Sequence, residues 1–152
     1  MMGNPADGAS APAEATLHAT TVAVEGQAAL IVGAAGQGKS TLALQMMALG
    51  AALVSDDRTH LTRDGDTLWA SAPAPISGLI EARGVGLLNA DVVARAQVVL
   101  VIDMDRLETD RLPTRHTRIV AGVSLPCLHK VDSNGFPAAV LQYLKAGRRD
   151  PS

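Results

Sequence analysis

The sequence predicts an α/β fold of the phosphate-loop type, a mixed central sheet flanked by a few helices, and three observations carry that prediction. The run Gly33-Ala34-Ala35-Gly36-Gln37-Gly38-Lys39-Ser40-Thr41 meets the pattern G-x-x-x-x-G-K-[ST] at every fixed position. The apolar run Ala28 to Val32 before it reads as a buried strand and Ser40 to Ala48 after it as a helix, so the loop falls where a strand feeds a helix N-terminus. Hydrophobic residues make up 47% of the chain but aromatics only 2%, which leaves Ala, Val, Leu and Ile to build a core, a composition suited to strands layered against helices.

The elements follow in order. Residues 1–15 (MMGNPADGASAPAEA) hold almost no large apolar side chain, so burial cannot offset the entropy of ordering them, and a flexible tail is expected. His18 to Val24 reads as a strand, Glu25-Gly26-Gln27 as a hairpin turn, and Ala28 to Val32 as the strand entering the loop. Gly50 stands where a helix C-terminal cap belongs. A short buried strand, Ala51 to Ser55, ends in Asp56-Asp57. Arg58 to Arg63 and Thr67 to Ser71 flank Asp64-Gly65-Asp66, whose Asp-Gly dipeptide is a hairpin signal. Pro73 and Pro75 end that excursion. Gln97 to Asp103 is a further apolar strand, and Pro137 to Ala146 is a closing helix with proline at its start. Residues 16–147 form the expected single domain, and residues 148–152 a C-terminal tail.

Composition narrows the function. A chain of 152 residues suits one domain with a full core. A net charge of −2 argues against nucleic acid as the main partner. No apolar stretch approaches the roughly 18 residues of a membrane helix, and Met1 to Thr16 lacks the charged start and apolar middle of a signal peptide, so no membrane partner and a cytoplasmic setting are expected. Cys127 is alone and reads as a small buried hydrophobe. His60, His116 and His129 have no ligand spacing and are assigned no metal.

The phosphate loop points to a bound nucleoside triphosphate. Gly33, Gly36 and Gly38 let the backbone turn around the anion, Lys39 reaches toward the β- and γ-phosphates, and the Ser40 hydroxyl is placed to ligate Mg²⁺. Two strands offer the acidic partner such a loop needs. Gln97 to Asp103 ends in Asp103, in the manner of a magnesium-holding strand in ATPases and GTPases. Ala51 to Asp57 offers Asp56 and Asp57, which alternation sends to opposite faces unless the strand has already turned.

The segment Gly78-Leu79-Ile80-Glu81-Ala82-Arg83-Gly84-Val85-Gly86-Leu87-Leu88 bears on that choice. Together with the loop and the double aspartate it resembles the catalytic domain of bacterial HPr kinase/phosphorylase, whose hallmarks are a phosphate loop, a hydrophobic-Asp-Asp strand end and a Glu-x-Arg-Gly-x-Gly signature. All three occur here in order, and the resemblance runs from about Leu17 to about Leu144. It implies the fold of the HPr kinase and PEP carboxykinase-like group, and an ATP- and Mg²⁺-dependent serine kinase acting on an HPr-like carrier of a bacterial phosphotransferase system. The family's separate N-terminal domain is not seen, as in the short form found in some proteobacteria, and the family's habit of forming hexamers implies a homo-oligomer.

The resemblance also implies roles by position. His18 matches a histidine that assists acid/base chemistry, although Ala19 stands where the family usually has Gly. Lys39 and Ser40 match the phosphate lysine and a magnesium ligand. Asp56 matches the carboxylate that takes the proton from the carrier's serine and returns one in the reverse direction, and Asp57 supports it or contacts metal through water. Glu81 matches a further magnesium ligand, Arg83 belongs to the signature, and Arg111 matches a catalytic arginine. Two departures stand out. Thr41 replaces the glutamate that often follows the loop serine. The stretch Leu125 to Phe136 keeps the family's Leu-Pro opening but lacks the Gly-Arg linked to dephosphorylation, so kinase activity is better supported than phosphorylase activity. The competing readings are an ordinary phosphate-loop ATPase or small-molecule kinase using Asp103, and a nucleotide-sensing module with little catalysis.

Overall fold

The computed structural model describes residues 13–150. Most of the expected N-terminal tail, residues 1–12, and the last two residues of the expected C-terminal tail lie outside them. Eleven strands and two α-helices follow one another along the described chain. The strands are β1 (Glu14–Leu17), β2 (Ala19–Val24), β3 (Gln27–Val32), β4 (Ala52–Ser55), β5 (Thr59–Asp64), β6 (Thr67–Ser71), β7 (Leu79–Ala82), β8 (Gly86–Asn89), β9 (Ala96–Leu107), β10 (His116–Val120) and β11 (Val123–Lys130); the helices are α1 (Lys39–Ala48), between β3 and β4, and α2 (Phe136–Ala146), after β11.

The main sheet runs β1-β5-β6-β9-β3-β2-β4, with β11 also on β9 and β10 on β11. It is mixed: β3, β9 and β11 are parallel, and the remaining pairs are antiparallel. Strand β9 is the spine, 12 residues long. One of its edges pairs with β3, and the other serves β6 at Ala96–Gln97 and then β11 from Val101 onward. A bulge at Val99 shifts the alternation, since Ala28 pairs Val98 while Ala29 pairs Leu100.

Alternation along the central strands divides the core. Leu30, Val32, Val98 and Val101 join Leu61, Leu68, Leu125 and Cys127 on one face. Ala29, Ile31, Leu100 and Ile102 join Leu42 and Met46 of α1 and Phe136, Val140 and Leu144 of α2 on the other. Both helices therefore cover the same face, and the opposite face is closed by the sheet's own outer strands.

The expected helices and hairpins stand. The turn at Glu25-Gly26 joins β2 to β3, and Gly65-Asp66 joins β5 to β6. Gly50 follows the C-terminus of α1 with φ 114°. Three points are corrected. The chain is already a strand at Glu14 and Ala15, inside the expected tail, because their backbone pairs with Thr62 and Leu61 of β5. His18 falls in the bend between β1 and β2 rather than opening a strand. Residues 148–150 are held rather than free: the Arg148 guanidinium donates to the Pro113 carbonyl, and Asp150 pairs with Arg115 and with Arg148.

Candidate active site

The phosphate loop leaves the end of β3 with its glycines in the conformations its curvature needs. Gly33 has φ 147°, and a Cβ there would stand 3.1 Å from the Cβ of Met104, so a side chain would be strained and would press on the adjacent strand β9. Gly38 caps α1 at φ 90°. No side chain caps this helix and no acid lies in its first turn, so its leading N–H groups face the loop's interior with their partial positive charge. The Lys39 ammonium lies within the loop, donating to the Gly33 carbonyl at 2.5 Å and the Ala34 carbonyl at 3.3 Å. Asp105, just past the buried part of β9, accepts the Ala34 N–H at 2.9 Å and braces the loop from below.

Asp56 ties three elements together. Its Oδ1 accepts the Ser40 hydroxyl of α1 at 2.6 Å and the Thr20 hydroxyl of β2 at 2.9 Å, and its Oδ2 accepts the Glu81 N–H of β7 at 2.9 Å. The carboxylate is buried. Asp57 does the opposite. The Arg58 N–H bonds back to the Asp56 carbonyl at 2.7 Å across a residue with φ 68°, the hydrogen bond of a γ-turn in its rare left-handed form. The strand has thus already turned, and Asp57 is exposed on the cleft rather than hidden on the far face of β4.

That cleft encloses about 340 Å³ and is lined by the phosphate loop with Thr20, Asp57, Glu81 and Arg83. Glu81 and Arg83 arrive on the hairpin of β7 and β8, whose anchor on Asp56 is the Glu81 N–H itself. A second, larger cavity of about 520 Å³ adjoins it, sharing Gly38 and Thr41 and bounded by Leu42, Met104, Phe136 and the segment Lys130–Asn134.

Seven of the residues singled out by sequence therefore converge: Lys39, Ser40, Thr41, Asp56, Asp57, Glu81 and Arg83. His18 and Arg111 are exposed on loops and are not among the residues lining the cleft. Asp103 is also elsewhere. Its carboxylate is turned toward Arg118 at 3.4 Å and Arg106 at 3.6 Å and accepts the Asp105 N–H at 2.9 Å. Sequence reasoning missed Thr20 and Asp105, which carry no motif and are recognisable only once β2 and β9 are seen to flank the loop. Of the thiol, burial and the nearby Asp103 carboxylate push the Cys127 pKa up, consistent with a packing residue.

A protein-family model described as "HPr Serine kinase C-terminal domain" matches residues 10–128. The chain belongs to that family. It is similar to the HPr kinase/phosphorylase of Limosilactobacillus reuteri, 32% identical over 124 residues, which cover 73% of this chain and 39% of that protein. It is also similar to the HPr kinase/phosphorylase of Geobacillus thermodenitrificans, 36% identical over 103 residues, 62% of this chain and 33% of that one. The solved structure of the Hpr(Ser) kinase/phosphatase from Coxiella burnetii superposes with a TM-score of 0.74 at 27% identity, over 86% of this chain and 94% of that one. The chain spans about a quarter to two fifths of the length of the curated relatives it matches.

Proposed function

We propose that this domain is an ATP- and Mg²⁺-dependent protein-serine kinase whose substrate is an HPr-like phosphocarrier protein. The observation that carries the reading is the convergence on one cleft of the phosphate loop, the Asp56–Ser40 pair and the Glu81/Arg83 hairpin.

The chemistry is positioning and charge neutralisation. Loop N–H groups and Lys39 bind the β- and γ-phosphates, and the adjoining cavity beside Leu42, Met104 and Phe136 takes the nucleoside. Ser40 and Glu81 are oxygen donors of the hard kind Mg²⁺ selects, with Asp57 reaching the ion through water, and the ion would offset charge on the transferring phosphoryl group. Arg83 reaches the same space from the hairpin tip. The carrier's serine hydroxyl attacks the γ-phosphorus, the bond to the ADP oxygen breaks, and a carboxylate takes the hydroxyl proton.

The resemblance gives that last role to Asp56, but the geometry favours Asp57. Both Asp56 oxygens already accept hydrogen bonds in a buried setting, which suits a residue that holds Ser40 and the hairpin in place. Asp57 faces the cleft, and its strained backbone is the kind of cost that persists where a side chain must be aimed. His18 and Arg111 enter through the family resemblance alone, Arg111 from the loop 108–115. A cytosolic nucleotide and a single buried thiol support a cytoplasmic setting, and the net charge of −2 supports a protein partner over nucleic acid. Assembly into a homo-oligomer follows from the family resemblance.

The test is transfer of labelled phosphate from ATP to a co-expressed HPr-like protein. Label on a carrier serine supports the proposal. Tight ATP binding with no transfer would replace it with a nucleotide-sensing module.

A further inference from the structure

Away from the cleft, three side chains that sequence spacing kept apart meet at the far end of β9. Glu108 follows the last residue of β9, His116 opens β10, and His129 lies near the end of β11. The reason is register. His116 pairs with Cys127 across the β10–β11 ladder, and His129 is two residues further along β11, hence on the same face as Cys127 and diagonal to His116. The Glu108 N–H bonds to the Lys130 carbonyl at 2.8 Å, which sets its side chain beside both rings.

The carboxylate is already oriented. Its Oε2 accepts the N–H groups of Thr109 at 3.1 Å and Asp110 at 3.2 Å, leaving Oε1 to face His116 Nε2 at 3.0 Å and His129 Nδ1 at 4.0 Å. One ligand atom from each residue lies within 4.8 Å of the other two. The Glu108 and His129 side chains are mostly buried, at 11% and 18% exposure, with His116 at 29%.

We propose that Glu108, His116 and His129 form a binding site for a zinc-class divalent cation, separate from the nucleotide cleft. Two imidazole nitrogens and one carboxylate are a donor set of catalytic and regulatory zinc sites, with water completing a tetrahedron. Ligand atoms around such an ion, at bond lengths of about 2.0 Å, stand roughly 3.3 Å apart. The Glu108–His116 separation of 3.0 Å is near that spacing already, and the Glu108–His129 separation of 4.0 Å exceeds it, so His129 must approach. The rings are stacked, 3.9 Å between centroids with 10° between planes, so they must turn to aim both lone pairs at one centre. Rotation about the bond joining ring to Cβ supplies this, because that torsion is broad. Mg²⁺ is excluded by donor type, since it selects oxygen ligands and imidazole suits zinc, cobalt, nickel and copper.

Such an ion acts as a clasp. Glu108 opens the loop 108–115, His116 directly follows it at the start of β10, and His129 belongs to the neighbouring strand β11, so the ion closes the loop at its base. The loop's exposed Arg111 then reports on the closure.

The experiment titrates Zn²⁺, and Co²⁺ as a spectroscopic probe, into the metal-free full chain by calorimetry and visible absorption, beside His116→Asn, His129→Asn and Glu108→Gln. The expected result is one ion per chain at micromolar affinity, tetrahedral Co²⁺ bands, binding weakened at least about tenfold in each variant, and Zn²⁺-dependent protection of the Arg111–Leu112 bond from trypsin. Thermal melts of the metal-free variants check their folding. Should one fail to fold, histidine ring nitrogen shifts in the unaltered protein decide the matter, because Zn²⁺ must move those of His116 and His129 and leave His18 and His60 in place. No saturable Zn²⁺ binding at micromolar concentrations, or binding that survives the loss of both His116 and His129, overturns the proposal.

Discussion

Ser40 donates a 2.6 Å hydrogen bond from Oγ to Asp56 Oδ1, joining the first turn of α1 to the end of β4. The same carboxylate takes the Glu81 N–H at 2.9 Å, so one buried group sets the distance between phosphate loop and signature hairpin. Asp103, the aspartate an ordinary phosphate-loop ATPase would use, is held by Arg118 and Arg106 instead.

The three aspartates should separate by role. Asp57→Asn is expected to cut phosphate transfer by roughly 10² to 10⁴ with ATP binding retained, the span of general acid–base catalysis. Asp56→Asn replaces an acceptor of three hydrogen bonds by a group that also donates, so it should lower stability by about 1–3 kcal/mol and weaken Mg²⁺-ATP binding together with transfer. Asp103→Asn should leave transfer nearly intact. Measured rates, ATP affinities and denaturant midpoints distinguish these outcomes; a dispensable Asp57 with Asp56 limiting turnover alone would return the proton-accepting role to Asp56.

Strain at Asp57 makes a second, opposite prediction. Glycine tolerates φ 68° without the cost borne by a side chain, so Asp57→Gly should raise stability by about 1 kcal/mol while abolishing transfer. Urea unfolding reads the first effect. A variant less stable than the parent would show that the Asp57 side chain makes contacts outweighing its backbone cost.

Lys39→Ala removes the one ammonium inside the phosphate loop. ATP binding should weaken strongly and transfer vanish, because the loop amides alone cannot counter the phosphate charge. Undiminished ATP affinity in a folded variant contradicts the phosphate-loop assignment.

Cys127 predicts a pH effect. Burial raises its folded pKa above that of the unfolded thiol, near 8.5, so the folded protein keeps a proton that the unfolded chain sheds. The contribution is fully present below about pH 8.5 and is lost as pH rises beyond it. Alkylation of the native protein at pH 8 should accordingly be far slower than after denaturation, as followed by mass spectrometry. Equal rates would mean that the β11 face opens readily.

Direction of reaction is the fifth prediction. Dephosphorylation driven by inorganic phosphate must hold two anions in line, and added cations must offset their repulsion. Lys130 is the only Lys or Arg between Arg118 and Lys145, and it borders the adjoining cavity with Asp132. Phosphate-driven release of pyrophosphate from the phosphoserine carrier should be much slower than forward transfer under matched conditions. Equal rates would place the missing charge on another group, with Arg111 the first to replace.

What the sequence determined by itself is local or motif-bound. The loop from Gly33 to Thr41, the strand and helix around it, and the hairpins at Gly26 and Gly65 each depend on a few adjacent residues whose backbone preferences and apolar spacing are legible in one dimension. The family followed from three such motifs in order. Tertiary structure alone decided the rest. Glu14 and Ala15 become strand only because β5 offers a partner edge; Asp56 rather than Asp103 takes the Ser40 hydroxyl because the end of β4 meets β7 beside α1; Asp57 reaches the cleft through a backbone turn that overrides strand alternation. Glu108, His116 and His129 meet through the register of three strands. Register is set by packing between segments tens of residues apart, and no local propensity encodes which side chains it will bring together.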